Sequence, residues 1–241
     1  MESLLTSKIP TPEKLINRHL RFYTPLAMIL VSLLIAVNLI AQKLIPLGKH
    51  LVLTSGDLVY PLIYLLSVTI TEVYGYALSR RIIWLTFICS ALVSAITSLS
   101  IILPGAEFWH NQTQYALILG NIPRILIASL SAFWLGEFIG AYLMAKLKIF
   151  MAGKRLWLRA LIALLISQLI DSFMFTVVAF YSSISWNKII LLSFSTYCFK
   201  LIYQLVLTPL VCFLANYLKV REQIDIFDRE TDFNPFRFGS G

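Results

Sequence analysis

The chain has 241 residues, of which 59% are hydrophobic and only 13% are charged. Its mean hydropathy of +0.80 excludes an ordinary soluble domain and predicts an all-α integral membrane protein. The net charge of +8 is compatible with nucleic-acid binding, but the positions of the basic residues explain it differently. The three cysteines lie in apolar runs without metal-ligand spacing, so neither a disulfide framework nor a metal site is predicted.

Six stretches are apolar over the roughly 20 residues that a helix needs to cross a bilayer. They cover 22–45, 58–76, 82–103, 115–147, 156–181 and 189–218. We therefore expect one transmembrane domain over 22–218, preceded by a polar arm at 1–21. The residues from 219 to 241 are predicted to be a charged tail that has no core-forming pattern.

The distribution of Lys and Arg predicts the orientation of these spans. Most of the 20 basic residues fall in the arm, in the connections after the second and fourth spans, and in the tail. The opposite side carries only Lys43, Lys49 and Lys188. By the positive-inside rule both termini are predicted to be cytoplasmic. The basic surplus thus reports orientation in the lipid bilayer, and no nucleic-acid partner is expected.

Apart from Lys43, Lys146 and Arg159, which lie within three residues of a span end, five formal charges fall inside the predicted spans, where an ionisable side chain costs at least ~2.5–3.5 kcal/mol. They are Glu72, Arg124, Glu137, Asp171 and Lys200. Such residues normally line a polar cavity or pair with an opposite charge. They are therefore the first candidates for a functional site.

The fifth and sixth spans carry the strongest pattern. Gln168 and Asp171 lie three residues apart and share one helix face. The polar face of the sixth span consists of Ser193, Tyr197, Lys200, Gln204 and Thr208. Asp171 and Lys200 both fall near mid-depth on consecutive antiparallel helices, so we predict that they are partners. A purely structural ion pair is the alternative.

The other polar residues each have a structural alternative. Glu72 is either a ligand or gating contact or an interfacial acid that pairs with Arg80 or Arg81. Arg124 follows a proline at a predicted kink and either faces the site or extends to the outer interface. Asn38 is either a ligand contact or a hydrogen bond between helices.

A stripe of small residues marks the fourth span, at Ala128, Ala132, Gly136 and Gly140. Four-residue spacing of small side chains allows membrane helices to approach closely. The stripe serves either an internal contact or a homodimer. Glu137 lies beside it and is expected either to pair with Lys200 or to lie near the inner surface.

Several short motifs together resemble the queuosine-precursor transporter family. They begin with Pro61, Thr71-Glu72-Val73-Tyr74-Gly75 and the pair Arg80-Arg81. Further matches, in order, are Asn38 with Lys43, Pro123-Arg124 with Ala128-Ser129, Ser167-Gln168 with Asp171, and Tyr197, Lys200, Thr208 and Pro209. Each motif is weak alone, but their joint occurrence over roughly residues 25–218 is specific.

The resemblance implies a multi-pass importer of the bacterial inner membrane. Its cargo would be a 7-deazaguanine, meaning queuine or its cyano and aminomethyl precursors, for salvage into tRNA. The resemblance also implies transport without an ATPase and a six-helix plan similar to the substrate-binding components of energy-coupling-factor transporters. No cofactor is predicted.

A deazaguanine suits the polar residues of the spans. Asp171 is predicted to accept two N–H groups of the amidine edge, since one carboxylate can accept both in parallel. The other predicted contacts are Gln168, Lys200 and Asn38 for the carbonyl and ring nitrogens, Phe175 or Tyr197 as a stacking face, and Glu72 and Arg124 elsewhere in the site.

Two positions depart from the family pattern. Val68 stands where the family often has Asp, four residues before Glu72. Gly140 stands where the family has the Asp of a Gln-x-x-Asp pattern, which begins here at Glu137. Fewer acids disfavour recognition of a cationic aminomethyl group.

Competing interpretations remain at this stage. A capture subunit of an energy-coupling-factor vitamin transporter would dock through small residues spaced by four, and Ser32 with Ala36 is one such pair. A membrane enzyme is disfavoured because the three histidines fall in arms or loops and no H-E-x-x-H, G-x-S-x-G or P-loop motif occurs. A scaffold held by its internal charges would bind no ligand.

Overall fold

The computed structural model describes residues 20–41, 43–47, 51–120, 122–181, 185–229 and 231–236. The helices are α1 (Tyr23–Ile40), α2 (Ser55–Ile102), α3 (Gln112–Gly120), α4 (Ile122–Phe150), α5 (Leu156–Phe180) and α6 (Trp186–Glu222). Among the described residues, five helices are long and apolar enough to cross a membrane, and α3 is too short. The predicted class, a helical membrane protein, is confirmed at this level.

The helices expose apolar side chains on the outside of the bundle and bury charged side chains inside it. Large hydrophobic side chains such as Leu85, Ile88 and Leu92 are more than half exposed along one face of α2. Asp171 and Lys200, by contrast, are only 3% and 4% exposed. A water-soluble bundle would reverse this distribution, so the surface fits a hydrocarbon environment.

A short β-hairpin joins α1 to α2, so the first helix ends at Ile40 and not at the predicted residue 45. Strand β1 (Leu44–Leu47) pairs antiparallel with β2 (Leu51–Thr54). Thr54, the last residue of β2, is also the N-cap of α2. Its hydroxyl accepts from the Asp57 N–H, and the Asp57 carboxylate accepts from the Thr54 N–H at 2.9 Å. This capping box fixes the side chain of Asp57 at the start of the helix.

Helix α2 contains a sharp break at Gly75, where a loop after 76 was predicted. Gly75 has φ 80° and ψ 174°, a backbone conformation open almost only to glycine. The hydroxyls of Thr71 and Ser79 lie 2.7 Å apart across the break, whereas a straight helix would separate the two levels by about 12 Å. The segments 55–74 and 76–102 therefore fold back on each other without an intervening loop.

Residues 223–229 and 231–236 pack against the bundle, although the sequence predicted a tail without a core-forming pattern. Both carboxylate oxygens of Asp228 accept from the Tyr76 N–H, at 3.0 and 3.1 Å. This N–H follows the break directly and has lost its helical partner. A Cβ added to Gly75 would lie only 2.9 Å from Cγ2 of Ile226. The bend and the tail thus depend on each other.

The end of the tail is held by side chains of the second half of α2. Arg80 donates through Nη1 to the carbonyl oxygens of Asp232 at 2.9 Å and Asn234 at 2.6 Å. Trp84 donates through Nε1 to the carbonyl of Pro235 at 2.8 Å. The tail is consequently part of the folded domain.

The small-residue stripe packs α4 against α5 within one chain. A Cβ on Gly136 would lie 3.2 Å from Cβ of Asp171, and one on Gly140 would lie 3.3 Å from Cβ of Ser167. Gly136 and Gly140 thus make an internal contact, one of the two uses predicted for the stripe, and the homodimer stays a prediction. Gly140 therefore stands at a helix contact that leaves little room for the acid seen in the family.

We predict that Gly75→Ala destabilises the protein by about 1–3 kcal/mol, the usual cost of a strained backbone conformation. The added Cβ would also displace Ile226 and the tail. The measurement is thermal unfolding of the detergent-purified protein, together with limited proteolysis after residue 222.

Gly140→Ala is the control, because Gly140 lies in regular helix and its added Cβ meets only a 3.3 Å contact. Its unfolding temperature should fall less, and its tail should stay protected. Equal losses in the two variants would contradict the role assigned to the bend.

Candidate functional site

The predicted pair between Asp171 and Lys200 is present in the centre of the bundle. Nζ of Lys200 lies 2.9 Å from Oδ2 of Asp171, and the Tyr60 hydroxyl donates to Oδ1 at 2.9 Å. Asp57 provides a second acid, with Oδ1 3.7 Å from the same ammonium. The ion pair is buried, and its charges are compensated by groups from three helices.

Helix α2 places two of these groups. The capping box orients Asp57, and Tyr60 follows three residues later on the same helix face. The Lys200 ammonium lies 4.1 Å from the centroid of the Tyr60 ring, within cation–π range. Lys200 is therefore shared between two carboxylates and one aromatic face.

A cavity adjoins this cluster. Asp57, Tyr60, Asp171 and Lys200 contribute polar lining, and Phe175 contributes an aromatic wall. Its volume is about 30 Å³, room for roughly two water molecules. Asp57, Tyr60, Asp171 and Lys200 are all less than 10% exposed, so the described conformation is closed around its polar groups.

Asn38 lies at the edge of this cavity and not inside it. Its Oδ1 accepts from the Ser129 hydroxyl at 2.7 Å, and Ser129 lines the cavity. The Nδ2 of Asn38 has no partner among the described residues and faces a neighbouring groove, which Ser90 also lines. This geometry is compatible with both predicted roles of Asn38. Its Oδ1 forms a hydrogen bond with Ser129 of α4, whereas its Nδ2 has no partner among the described residues.

The remaining predicted residues are dispersed. Gln168 is buried but does not line the cavity. The Tyr197 hydroxyl lies 3.4 Å from the carbonyl oxygen of Leu165, also away from the cavity. The Arg124 side chain lies outside the described residues.

Glu72 belongs to a second cluster, at the end of the bundle where the tail docks. Its carboxylate accepts from Arg159 at 2.6 and 3.1 Å and from Lys219. Lys148 donates to its backbone carbonyl at 2.6 Å. The expected pairing with Arg80 or Arg81 is not observed, because Arg159 occupies the carboxylate and Arg80 holds the tail.

Asp225 connects the second cluster to the tail. It lies 2.6 Å from Lys148 and 3.0 Å from Lys219. Burial alone would raise the pKa of Asp225, but the two ammonium groups outweigh it and hold the pKa below its usual value. Charge pairing therefore fastens the start of the tail to α4 and α6.

Glu137 lies between the two clusters. The Ser67 hydroxyl donates to its carboxylate, which is only 5% exposed. Within the part of the chain that the structure describes, no cation forms an ion pair with it, so the expected pairing with Lys200 is not seen. Lys200 is taken by Asp57 and Asp171 instead.

Sequence reasoning missed Asp57, Tyr60 and Arg159. Asp57 had a signal, because Thr54-x-x-Asp57 is a capping-box pattern before an apolar run. Arg159 follows the fourth span and counts among the basic residues of that connection in the orientation argument, yet it lies in the first turns of α5 and is fully buried. Nothing in the local pattern of Tyr60 distinguishes it from other aromatic residues of α2.

Known proteins resemble this chain over most of its length. A family model described as "Putative vitamin uptake transporter" matches residues 54–214. A Bacillus subtilis (strain 168) protein named "Probable queuosine precursor transporter" is 31% identical over 65% of this chain and 69% of its own. The "Queuosine precursor transporter" of Escherichia coli (strain K12) is 29% identical over 73% of this chain and 77% of its own. No solved structure matches the chain.

The second cluster predicts a large loss of stability for Glu72→Gln. The change leaves Arg159 and Lys219 without their buried carboxylate, and breaking a buried pair this way costs about 3–5 kcal/mol. Thermal unfolding in detergent measures the loss.

Asp225→Asn is the matched control, because the Asp225 side chain is 44% exposed while that of Glu72 is fully buried. The control should lose much less stability. A loss as large as that of Glu72→Gln would mean that burial of Glu72 is not what makes the pair important.

Proposed function

The chain belongs to the vitamin uptake transporter family whose model it matches, and on this premise we propose that it imports a queuosine precursor of the 7-deazaguanine type. It is a multi-pass transport protein of the bacterial inner membrane and not an enzyme. The proposal is carried by the buried acid Asp171, which faces a cavity inside an otherwise apolar bundle. An acid in this position is what the donor edge of a deazaguanine requires.

In the proposed complex, Asp171 accepts the two N–H groups of the amidine edge. A planar donor pair on one carboxylate is a strong and directional form of hydrogen bonding. Phe175 lines the same cavity and provides the stacking face, whereas the hydroxyl of Tyr197, the other predicted aromatic contact, points away from it.

Lys200 has an alternative position that would leave the Asp171 carboxylate accessible to the ligand. In the closed conformation its ammonium occupies Oδ2 of Asp171. Asp57 at 3.7 Å and the Tyr60 ring at 4.1 Å offer the ammonium an alternative position. We propose that the ligand displaces Lys200 towards Asp57 and then accepts its hydrogen bond at the ring carbonyl. The positive charge stays compensated throughout the exchange.

The other predicted residues have different roles in this proposal. Asn38 approaches the ligand through Ser129 at the rim of the cavity. The Glu72 carboxylate is paired with Arg159 and Lys219. We therefore propose that Glu72 holds one end of the bundle closed and does not contact the ligand. Arg124 and Tyr197 stay sequence-based predictions.

We further propose six membrane crossings, with the two segments of α2 crossing separately. Segment 55–74 is about 30 Å long and segment 76–102 about 40 Å, each sufficient for a bilayer. The basic residues that predicted cytoplasmic termini then surround the end that carries Glu72, Arg159 and Lys219. This end is accordingly the proposed inner side.

Transport without an ATPase is proposed together with this cargo, since salvage into tRNA would draw the substrate inward. The alternative is a capture subunit that docks an energising module. One observation is compatible with it, because the small residues Ser32 and Ala36 are exposed on α1. Co-purification of an ATPase with the protein from its native membrane would favour that alternative.

The cargo class is tested first by ligand-dependent thermal stabilisation. Queuine, its cyano and aminomethyl precursors, guanine, biotin and riboflavin are each added to the detergent-purified protein. A ligand at one hundred times its Kd stabilises the native state by about 2.7 kcal/mol. We expect a shift with deazaguanines only, and a shift with a vitamin instead would withdraw the proposed cargo.

Asp171→Asn should abolish uptake of queuine into cells while the protein is still inserted in the membrane. The variant keeps the side-chain shape, and Lys200 keeps Asp57 as a partner. Glu107→Gln, which also replaces an acid by its amide but at an exposed position, is the control and should transport normally. Normal uptake by Asp171→Asn would reject Asp171 as the binding acid.

A further inference from the structure

Two buried glutamines, one on α5 and one on α6, have side-chain amide atoms without hydrogen-bond partners among the described residues. Gln168 and Gln204 are each only 2% exposed. Neither amide atom of Gln204 has a hydrogen-bond partner among the described residues, and Oε1 of Gln168 also lacks one. Buried amides in native proteins are rarely left unpaired, because the hydrogen bonds lost to water are not replaced. These two groups therefore call for an explanation.

The ion pairs fix the level of both glutamines. Asp171 meets Lys200, and Arg159 meets Lys219 at the shared partner Glu72, so α5 and α6 run antiparallel. In this register, Gln168 lies three residues before Asp171 and Gln204 lies four residues after Lys200, so the two glutamines are at the same level along the bundle. This level is one helical turn nearer to Glu72 than the level of the Asp171–Lys200 pair. Gln168 and Gln204 thus lie between the two charged clusters.

We propose that Gln168 and Gln204 form a second binding station for the transported molecule, one turn beyond Asp171 on the way to the end that carries Glu72. The proposal rests on the transport function proposed above and adds a site to it. Both amide atoms of Gln204 and Oε1 of Gln168 lack a partner among the described residues of the closed conformation because their partner is the ligand.

The chemistry of an amide defines what the station recognises. A glutamine side chain presents one acceptor oxygen beside two N–H donors. Gln204 can therefore donate to a ring carbonyl and accept from the neighbouring ring N–H, which is the pattern of a planar cyclic amide. A deazaguanine carries this edge next to the amidine edge assigned to Asp171. The station would select for lactam rings and against molecules that lack one.

The first test is Gln204→Met, which keeps the length of the side chain and removes both unpaired atoms. We expect uptake of queuine to fall about tenfold or more while the unfolding temperature stays the same or rises. A merely structural glutamine would give the opposite result, lower stability with normal uptake per folded molecule, and that result would overturn the proposal.

Ser195→Ala is the control on the same helix. The Ser195 hydroxyl bonds the carbonyl of Leu191 within α6, on the exposed side. Both uptake and stability should therefore remain those of the parent protein. Loss of uptake here as well would show that α6 is sensitive to any substitution, and the assignment of Gln204 would fall.

A second test separates the existence of the station from the identity of the cargo. Gln204→Cys is made in a protein whose three native cysteines are replaced by alanine, and a small charged methanethiosulfonate reagent is applied to it in membranes. We expect labelling at position 204, protection by queuine, and no labelling of Ser195→Cys. Absence of labelling at 204 would overturn the station. Labelling without protection by any deazaguanine would support the station and reject the proposed cargo.

Discussion

The fold depends on the compensation of charge in a lipid environment. Glu72 and Asp171 are both buried, and a carboxylate there is tolerated only beside a cation or strong hydrogen-bond donors. Their cations, Arg159, Lys200 and Lys219, all come from α5 and α6. Because Glu72 joins α2 to both α5 and α6, and Asp171 joins α5 to α6 at a second level, the ion pairs set the order and register of the three helices.

The same requirement explains why the tail is part of the domain. The break at Gly75 exposes the Tyr76 N–H where no helical carbonyl can reach it, and Asp228 accepts this hydrogen bond. Burial raises the pKa of Asp228, although hydrogen bonds from the Tyr76 N–H and from Thr231 oppose this effect. Asp225 meanwhile neutralises Lys148 and Lys219. The tail thus completes both the backbone hydrogen bonds and the charge balance of one end of the bundle.

The two charged clusters differ in how much freedom they leave their members. Glu72 is enclosed by three basic side chains and has no adjoining cavity among those described, which suits a structural closure. Asp171 shares a single lysine with Asp57 beside a small cavity. Because Lys200 can change partners without becoming isolated, this cluster can open for a ligand at a low electrostatic cost. The proposed function therefore assigns closure and binding to different acids.

Composition and periodicity were sufficient to predict a helical membrane carrier and the pairing of Asp171 with Lys200. Apolar length reports membrane insertion directly, and consecutive helices joined by a short connection must be antiparallel neighbours, which brings two mid-span charges together. The small-residue stripe likewise predicted close packing, but the pattern alone could not name the helix that packs there.

What only the tertiary structure decided are the contacts between residues distant in the chain. Glu72 accepts from Arg159 and Lys219 instead of nearby Arg80, and Asp228 accepts from the backbone N–H of Tyr76. Local periodicity describes one helix at a time and carries no information about which distant group meets it. The sequence by itself thus determined the class of protein and its central ion pair, whereas the closure, the docked tail and the unpaired glutamines follow from how the helices pack.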